Sequence, residues 1–136
     1  NGVSDPGAGP ENTVNGSGLN ADGQHSIAAE DMWLVTPGAD PLWIQYEFDR
    51  IYRLHEMRVW NYNVQFELVL GFGLKDVTIE YSEDGQSWTA FGDVEFARAT
   101  ATAGTRSVGG AQRDRRARCQ RSPLVTFLLP LDWSST

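Results

Sequence analysis

Hydrophobic and polar residues alternate most clearly over residues 75–89, which read KDVTIEYSEDGQSWT. One face of an extended chain would collect the apolar residues Val77, Ile79 and Tyr81, which is the period of a half-buried strand. The pair Asp84-Gly85 then favours a tight turn, because glycine accepts a positive φ and the Asp side chain can bond nearby backbone. The segment therefore predicts a β-hairpin.

Three apolar stretches before this hairpin predict further strands, and they read MWLVT (32–36), LWIQYEF (42–48) and LHEMRVW (54–60). In the second stretch, alternate apolar residues share one face of the strand: Leu42, Ile44, Tyr46 and Phe48. In the third stretch we expect Met57 and Val59 to face inward. Residues 32–60 therefore predict two or three half-buried strands.

Two later stretches complete the strand prediction. SWTAFGDVEFARA (87–99) predicts two short strands around Gly92-Asp93, and LVTFLL (124–129) predicts a closing strand that ends at Pro130. Because short strands follow one another closely and no amphipathic helix interrupts them, we expect an all-β sandwich or barrel. The length of 136 residues suits a single domain over 1–136.

Three segments lack a strand period. Residues 1–31 are rich in Gly, Asn, Ser and Asp, which predicts loop with at most a short strand or one helical turn. Residues 61–74, NYNVQFELVLGFGL, form a long and unusually aromatic loop, and long loops in compact domains are often functional. Residues 101–123 contain few large apolar groups and are expected to be irregular.

Charge argues against nucleic acid as a partner, since phosphate binding relies on clustered Lys and Arg and this chain carries a net charge of −7. The charge is uneven. Five basic and sixteen acidic residues give −11 over residues 1–105, whereas six Arg and two Asp give +4 over residues 106–136. We interpret the Arg-rich run 113–121 as a solvated loop rather than an anion-binding patch.

Two further features bear on where the protein works. No apolar run approaches the roughly 20 residues of a membrane span, and no signal-peptide pattern is present, so we expect a chain without a transmembrane segment. Cys119 is the single cysteine and allows no internal disulfide, so the compartment cannot be inferred from bridges.

Four sequence blocks together resemble a known family: ENTVNGSGL (11–19), WIQYEF (43–48), HEMRVWNYN (55–63) and KDVTIEYSEDGQSWT (75–89). In order and spacing they are similar to discoidin or coagulation-factor type C domains of the galactose-binding-like superfamily, above all to their bacterial carbohydrate-binding branch. The resemblance covers about 11–98. It implies a jelly-roll β-sandwich of about eight main strands, often with a structural calcium ion and with ligand loops at one end.

The resemblance also carries expectations about context. It implies a secreted or cell-surface location and a monomeric module within a larger multidomain protein. The closing segment LVTFLLPLDW differs from the alternating apolar and basic strand that usually ends these domains. One hypothesis is that the segment from about Ala101 is not the ancestral ending, for instance after a reading-frame change; translation of the source nucleotide sequence in its other frames tests this.

Catalytic patterns are weak, and we expect no enzyme. His25 and His55 have no metal-ligand spacing and no Ser or Cys nucleophile motif beside them. The acidic pairs Glu30-Asp31 and Glu83-Asp84 are more simply solvated loop residues than the acid and base of a glycosidase, which face each other across a cleft.

Calcium is the predicted cofactor. Ca²⁺ takes six to eight oxygen ligands, and a Gly-rich loop with several side-chain oxygens can supply them. The family uses an Asp-Gly pair, whereas this chain has Asn15-Gly16, for which Asp22 is expected to compensate. The predicted ligand residues are Val14, Asn15, Asp22 and Ser26. The alternative is a turn-rich loop held only by its own hydrogen bonds.

A sugar-binding site is predicted at the aromatic loop, because sugars need a flat apolar face and planar polar groups. The predicted stacking residues are Tyr62, Phe66 and Phe72, and the predicted partners of sugar hydroxyls are Asn61, Asn63 and Glu67. We expect Trp33 and His25 to reach the same rim. In the alternative interpretation the three aromatic rings plug the end of the sandwich. Trp43, Trp60 and Trp88 are expected to pack inside.

The leading functional interpretation is a non-catalytic carbohydrate-binding module that holds an attached enzyme or surface protein near polysaccharide or glycan. The alternative is a discoidin-like adhesion module that binds protein or lipid surfaces. The tripeptide Leu68-Val69-Leu70 distinguishes them. If these residues are buried under the sheet the sugar module is favoured, and if they are exposed docking on a membrane or protein is favoured.

Overall fold

The structure, a computed structural model, describes residues 1–50, 52, 56–109 and 124–129, with residues 108–109 and 124–129 described by their backbone. Strands dominate these residues. In chain order they are β1 (Val3–Ser4), β2 (Gln24–His25), β3 (Val35–Thr36), β4 (Leu42–Glu47), β5 (Arg58–Val59), β6 (Asp76–Ser82), β7 (Trp88–Glu95), β8 (Thr105–Arg106), β9 (Val108–Gly109) and β10 (Leu124–Leu129).

Helical structure is limited to single turns among the described residues. The α-helix α1 spans Glu67–Leu70, and 3-10 turns span Pro10–Thr13 and Ala29–Asp31. The predicted all-β class is therefore confirmed. No helix in the described ranges has the length and apolar character needed to cross a bilayer.

The largest sheet has four antiparallel strands in the order β4-β10-β6-β7. The closing strand predicted over 124–129 is confirmed as β10, and it lies between β4 and β6. Phe127, for example, pairs with Ile44 on one side and with Ile79 on the other. The closing strand is therefore an inner strand of the sheet.

The predicted hairpin is confirmed as β6 and β7. Asp84 fixes its turn, because Oδ1 accepts hydrogen bonds from the backbone N–H groups of Gln86 and Ser87, both at 2.8 Å. These bonds hold the pKa of the Asp84 carboxyl at about 2, below its usual 3.8. The two short strands expected around Gly92-Asp93 are wrong, since β7 runs through both residues.

Three separate two-stranded ladders pair segments outside this sheet with one another: β1 with β3, β2 with β8, and β5 with β9. Two of these ladders use residues from the segment predicted to be irregular over 101–123, so its first part is corrected to strand at Thr105–Arg106 and Val108–Gly109. Residues 110–123, with Cys119 and the Arg-rich run, lie outside the described residues, as does His55.

The core forms on the side of the sheet to which β4 and β6 direct their apolar residues. Its buried members are Leu42, Val77, Ile79 and Phe96, and its partly buried neighbours are Trp33, Val35, Met57, Val59, Leu74 and Val94. The inward faces predicted for these strands are confirmed at Leu42, Ile44, Val77 and Ile79, whereas Tyr46, Phe48 and Tyr81 are only partly buried. The register between β6 and β7 shifts between Ile79 and Glu80, where Phe91 is the extra residue of β7, and Ser82 is buried beyond the shift.

Candidate ligand-binding surface

The aromatic loop over residues 61–74 contains one helical turn. The Phe66 carbonyl accepts hydrogen bonds from the N–H groups of Val69 and Leu70, both at 2.9 Å. The turn ends at Gly71, whose φ of 66° is left-handed and whose N–H donates to the Glu67 carbonyl. Glycine suits this position because other residues rarely adopt that conformation.

Glu67 lies beneath this turn and is only 1% exposed. Its carboxylate accepts hydrogen bonds from the backbone N–H groups of Phe72 at 3.1 Å and Gly73 at 2.8 Å. A Cβ on Gly73 would lie 3.0 Å from Glu67 Oε1 and 2.9 Å from Asn61 Oδ1. The buried carboxylate therefore satisfies the N–H groups of Phe72 and Gly73 in place of water. Glycine at position 73 lets the backbone approach Glu67 and Asn61 closely.

Asn61 ties the two ends of the loop together. Its Nδ2 donates to the carbonyls of Leu74 at 2.7 Å and Ala97 at 3.0 Å. Its Oδ1 accepts from the N–H of Leu74 at 2.9 Å and from the N–H of Tyr62 at 2.9 Å. The side chain is buried, so these bonds use its whole hydrogen-bonding capacity.

Asn63 joins the loop to two other segments and has no exposed surface. Its Nδ2 donates to the carbonyls of Ser26 at 3.1 Å and Thr102 at 2.9 Å. Its Oδ1 accepts from the N–H of Ala101 at 2.9 Å and the hydroxyl of Thr105 at 3.1 Å. These four bonds fix the loop against Ser26, which follows β2, and against the segment that leads into β8.

Asn61, Asn63 and Glu67 were predicted to bind sugar hydroxyls, and the structure gives them a different position. All three are buried and bonded to backbone groups, so none presents a polar atom at the surface. Their role in the structure is to hold the loop. We therefore leave them out of the candidate surface.

The outer side of the same loop is apolar and exposed. The exposed fractions are 65% for Phe66, 57% for Leu68, 84% for Val69, 42% for Leu70 and 41% for Phe72. We call these five residues the apolar loop. Exposure of Leu68-Val69-Leu70 meets the criterion that favours docking on a membrane or protein.

Tyr62 extends the apolar loop inward. Its ring lies 6.3 Å from that of Phe72, centroid to centroid, with an interplanar angle of 47°. Partial burial, and then the charges of Glu67 and Asp5, raise the pKa of the Tyr62 phenol above its usual 10.0. Tyr62 and Phe72 thus form a tilted aromatic pair beside the apolar side chains.

A cation lies next to the apolar loop. A Cβ on Gly71 would lie 2.8 Å from a guanidinium nitrogen of Arg98, so the arginine head group covers that glycine. Arg98 is exposed and forms no salt bridge with any described residue. Sequence patterns did not single it out, because no local motif links Arg98 to a loop that lies more than twenty residues earlier in the chain.

The remaining two predicted ligand residues lie elsewhere. His25 is buried on β2, and its Nδ1 lies 3.0 Å from the Ser26 carbonyl oxygen. Trp33 is partly buried and donates from Nε1 to the Ser4 hydroxyl at 3.1 Å, where it lines a small cavity together with Trp43. Trp43 was expected to pack inside, but it is 39% exposed because β4 turns Leu42 and Ile44 inward and Trp43 outward.

The hydrogen bonds of the N-terminal loop, residues 12–31, do not bring the predicted calcium ligands together. Asn15 Oδ1 accepts from the N–H of Ser17 at 2.7 Å, and the side chain of Val14 is exposed. Asp22 is exposed, and its backbone N–H donates to Asn20 Oδ1 at 3.0 Å.

Ser26 bonds to a different carboxylate. Asp31 accepts from the hydroxyls of Ser26 and Ser17, and these bonds lower the pKa of the Asp31 carboxyl below its usual 3.8. Within the described part of the chain, no group of three or more His, Cys, Asp or Glu side chains is placed to hold a metal ion. The side-chain hydrogen bonds of Asn15 and Asp31 lie within the loop, and calcium stays a prediction.

Comparison with protein-family models, with curated proteins and with solved structures finds no match. The resemblance to discoidin domains therefore rests on the four sequence blocks alone.

Proposed function

We propose that this chain is a non-catalytic adhesion module that docks on lipid or protein surfaces through the apolar loop. The observation that carries the proposal is the exposure of Leu68, Val69 and Leu70, three consecutive aliphatic residues on one helical turn. Single exposed apolar residues are common, whereas a contiguous apolar patch is typical of an interaction site.

Burial of the apolar side chains would favour docking. Full burial of one Leu, Val or Phe contributes about 1.5–3 kcal/mol. Burial of the five side chains to half that extent would contribute on the order of 5 kcal/mol before the costs of association. This is the range of a weak, reversible contact, which several modules on one protein would strengthen.

The loop is also fixed in shape before it binds. Glu67 and Asn61 hold its backbone from beneath through bonds to Phe72, Gly73 and Leu74. A preorganised loop loses little conformational entropy when it docks, so more of the burial free energy remains as affinity.

Arg98 supports lipid as the first surface to test. An exposed cation beside an exposed apolar loop matches the arrangement in which apolar side chains enter a bilayer while a basic head group stays near the lipid phosphates. Because residues 1–105 carry a net charge of −11, we expect neutral phosphatidylcholine to be bound better than strongly anionic membranes.

Vesicle co-sedimentation tests this proposal. We expect the chain to sediment with phosphatidylcholine vesicles, Val69→Asp to abolish sedimentation, and Phe91→Asp to leave it unchanged. Phe91 is the matched control because it is 50% exposed on β7, outside the apolar loop. Failure to bind any vesicle, or equal binding by Val69→Asp, would contradict docking on lipid.

Carbohydrate binding is the second candidate, and the aromatic part of the loop favours it. Tyr62, Phe66 and Phe72 offer ring faces on one loop, and the ring pair Tyr62–Phe72 is partly accessible. Shallow sites of this kind bind sugars at about 0.1–1 mM. A secreted or cell-surface jelly-roll sandwich that targets an attached enzyme to glycan belongs to this candidate.

A glycan array with and without calcium tests the second candidate. We expect binding of at least one glycan, and its loss in Tyr62→Ala while Val69→Asp still binds. If no glycan binds, or if Tyr62→Ala binds as well as the unchanged chain, the carbohydrate hypothesis fails.

A further inference from the structure

A small cavity lies beside strand β4. It is a cavity of about 230 Å³, lined among others by Ser4, Trp33, Trp43 and Gln45. None of its lining residues belongs to the apolar loop. Whatever binds in this cavity would therefore do so independently of the docking proposed above.

Two indole rings line this cavity. Trp43 leaves 39% of its surface exposed on the outward face of β4. Trp33 is partly buried against the core, and its bond from Nε1 to Ser4 Oγ at 3.1 Å fixes the ring orientation. A ring that is already fixed loses little rotamer entropy when a ligand stacks on it.

Polar groups stand beside the indoles. Gln45 follows Trp43 by two residues, so both side chains project from the same face of β4. Gln45 is exposed, and its amide has no hydrogen-bond partner within the described structure. Ser4 Oγ accepts from Trp33 and keeps its own proton to donate.

The wall of the cavity is held in place by Asn1. Its Oδ1 accepts from the Trp43 N–H at 2.8 Å, and its Nδ2 donates to the Pro41 carbonyl at 3.0 Å. These bonds engage the Asn1 amide, and the side chains of Gln45 and Ser4 offer further polar groups to a ligand.

The lining selects a ligand class. No Lys, Arg, Asp or Glu side chain is among the described lining residues, so the side chains of the lining suit a neutral ligand. Aromatic faces combined with a planar amide and a hydroxyl suit a ligand with an apolar C–H face and several hydroxyl groups. The volume of about 230 Å³ is below the roughly 300–1,000 Å³ of drug-sized pockets, so it suits one ring rather than a chain of rings.

We propose that the cavity between Trp33 and Trp43 binds a single pyranose ring. An indole face stacks on the C–H face of the ring, and Gln45 and Ser4 bond its hydroxyls. The proposal concerns a site separate from the apolar loop and does not rest on the proposed docking function.

NMR titration of the full chain tests the proposal. The probes are the methyl pyranosides of glucose, galactose, mannose and N-acetylglucosamine, with cyclohexanol as a six-membered ring that has one hydroxyl. We expect at least one sugar to shift the indole Nε1–H signals of Trp33 and Trp43 and the side-chain amide signals of Gln45, and cyclohexanol to shift them little.

Variants locate the site. We expect Trp43→Ala to weaken sugar binding at least tenfold and Gln45→Ala to weaken it severalfold, with Phe91→Ala as the unchanged control at the opposite edge of the four-stranded sheet. Thermal unfolding identifies variants that fail to fold, and Trp43→Phe, which keeps a ring, is then expected to retain part of the binding.

Four outcomes would overturn the proposal. They are no shift with any sugar, equal shifts with cyclohexanol, undiminished binding by folded Trp43→Ala, and shifts confined to the aromatic loop that Tyr62→Ala removes. The last outcome would place sugar binding at the loop instead. Vesicle binding by the apolar loop is measured separately, so the two proposals can fail independently.

Discussion

The aromatic loop over residues 61–74 and the N-terminal loop over residues 12–31 are both held by hydrogen-bonded Asn and carboxylate side chains. The two loops differ in whether those side chains are buried. In the aromatic loop the polar side chains Asn63 and Glu67 are buried and the aliphatic ones face outward. In the N-terminal loop Asn15 and Asp31 make similar bonds near the surface. Hydrogen-bonded Asn and carboxylate groups can therefore either hold a loop that exposes apolar side chains or stabilise a polar turn.

The largest effect is expected from Asn63→Ala. It would remove four hydrogen bonds from a fully buried site and leave donors and acceptors of two other segments unpaired. We expect a loss of about 3–5 kcal/mol in the free energy of unfolding, measured by chemical denaturation. Asn15→Ala, the matched change in the N-terminal loop, should lose less than about 1 kcal/mol; equal losses would remove the contrast between the loops.

Glu67→Gln is expected to have the next largest effect. The substitution keeps size and one oxygen but replaces the second acceptor with a donor that faces a backbone N–H. We expect a loss of about 1.5–3 kcal/mol in the free energy of unfolding, and faster hydrogen exchange at Phe72 and Gly73. Unchanged exchange at these two amides would show that the carboxylate does not hold the loop.

Acid should destabilise the N-terminal loop through Asp31. Hydroxyl bonds from Ser26 and Ser17 lower its folded pKa below 3.8. A lowered folded pKa means that the stabilisation is present above the unfolded pKa and is lost as pH falls through the folded value. We expect Asp31→Asn to reduce the acid dependence of the free energy of unfolding below pH about 4. Asp84→Asn is the comparison in the hairpin, and an acid dependence unaffected by Asp31→Asn would contradict this assignment.

The predicted calcium ion is a further difference between the two loops. The family resemblance predicts an ion in the N-terminal loop, and we expect a chelator to lower the melting temperature because an ion that binds only the folded state stabilises it. An unchanged melting curve would leave this loop to the hydrogen bonds of Asn15, Ser17 and Asp31.

The smallest effect on stability is expected at the exposed side of the aromatic loop. Val69→Ser changes a side chain that is 84% exposed, so the free energy of unfolding should change by no more than about 0.5 kcal/mol. Vesicle binding should nevertheless fall. A large loss of stability would show that Val69 packs against the fold rather than serving as a contact.

Local pattern predicted the strands well where one face is buried. The alternation around Leu42 and Ile44, and that around Val77 and Ile79, identified β4 and β6 with their inward faces. The same alternation placed Trp43 outward, a signal that the general tendency of Trp to pack inside obscured. The position of β10 between β4 and β6 could not be predicted, because partner strands are far away in the sequence.

The loop was predicted as the functional region, but the roles of its polar residues could not be assigned. Asn61, Asn63 and Glu67 have the chemistry of sugar ligands and equally that of backbone caps. The choice depends on which backbone groups need a side-chain partner after folding, such as the N–H groups of Gly73 and Ala101, and sequence patterns do not show these.

Paramagnetic broadening by lipid tests the central claim, that the apolar loop is the docking surface, most directly. Phosphatidylcholine vesicles with a spin label near the head group would be added to the isotope-labelled chain. We expect line broadening confined to residues 66–72 and their neighbour Arg98. Broadening centred on Trp43 or Phe91, or no broadening anywhere, would contradict it.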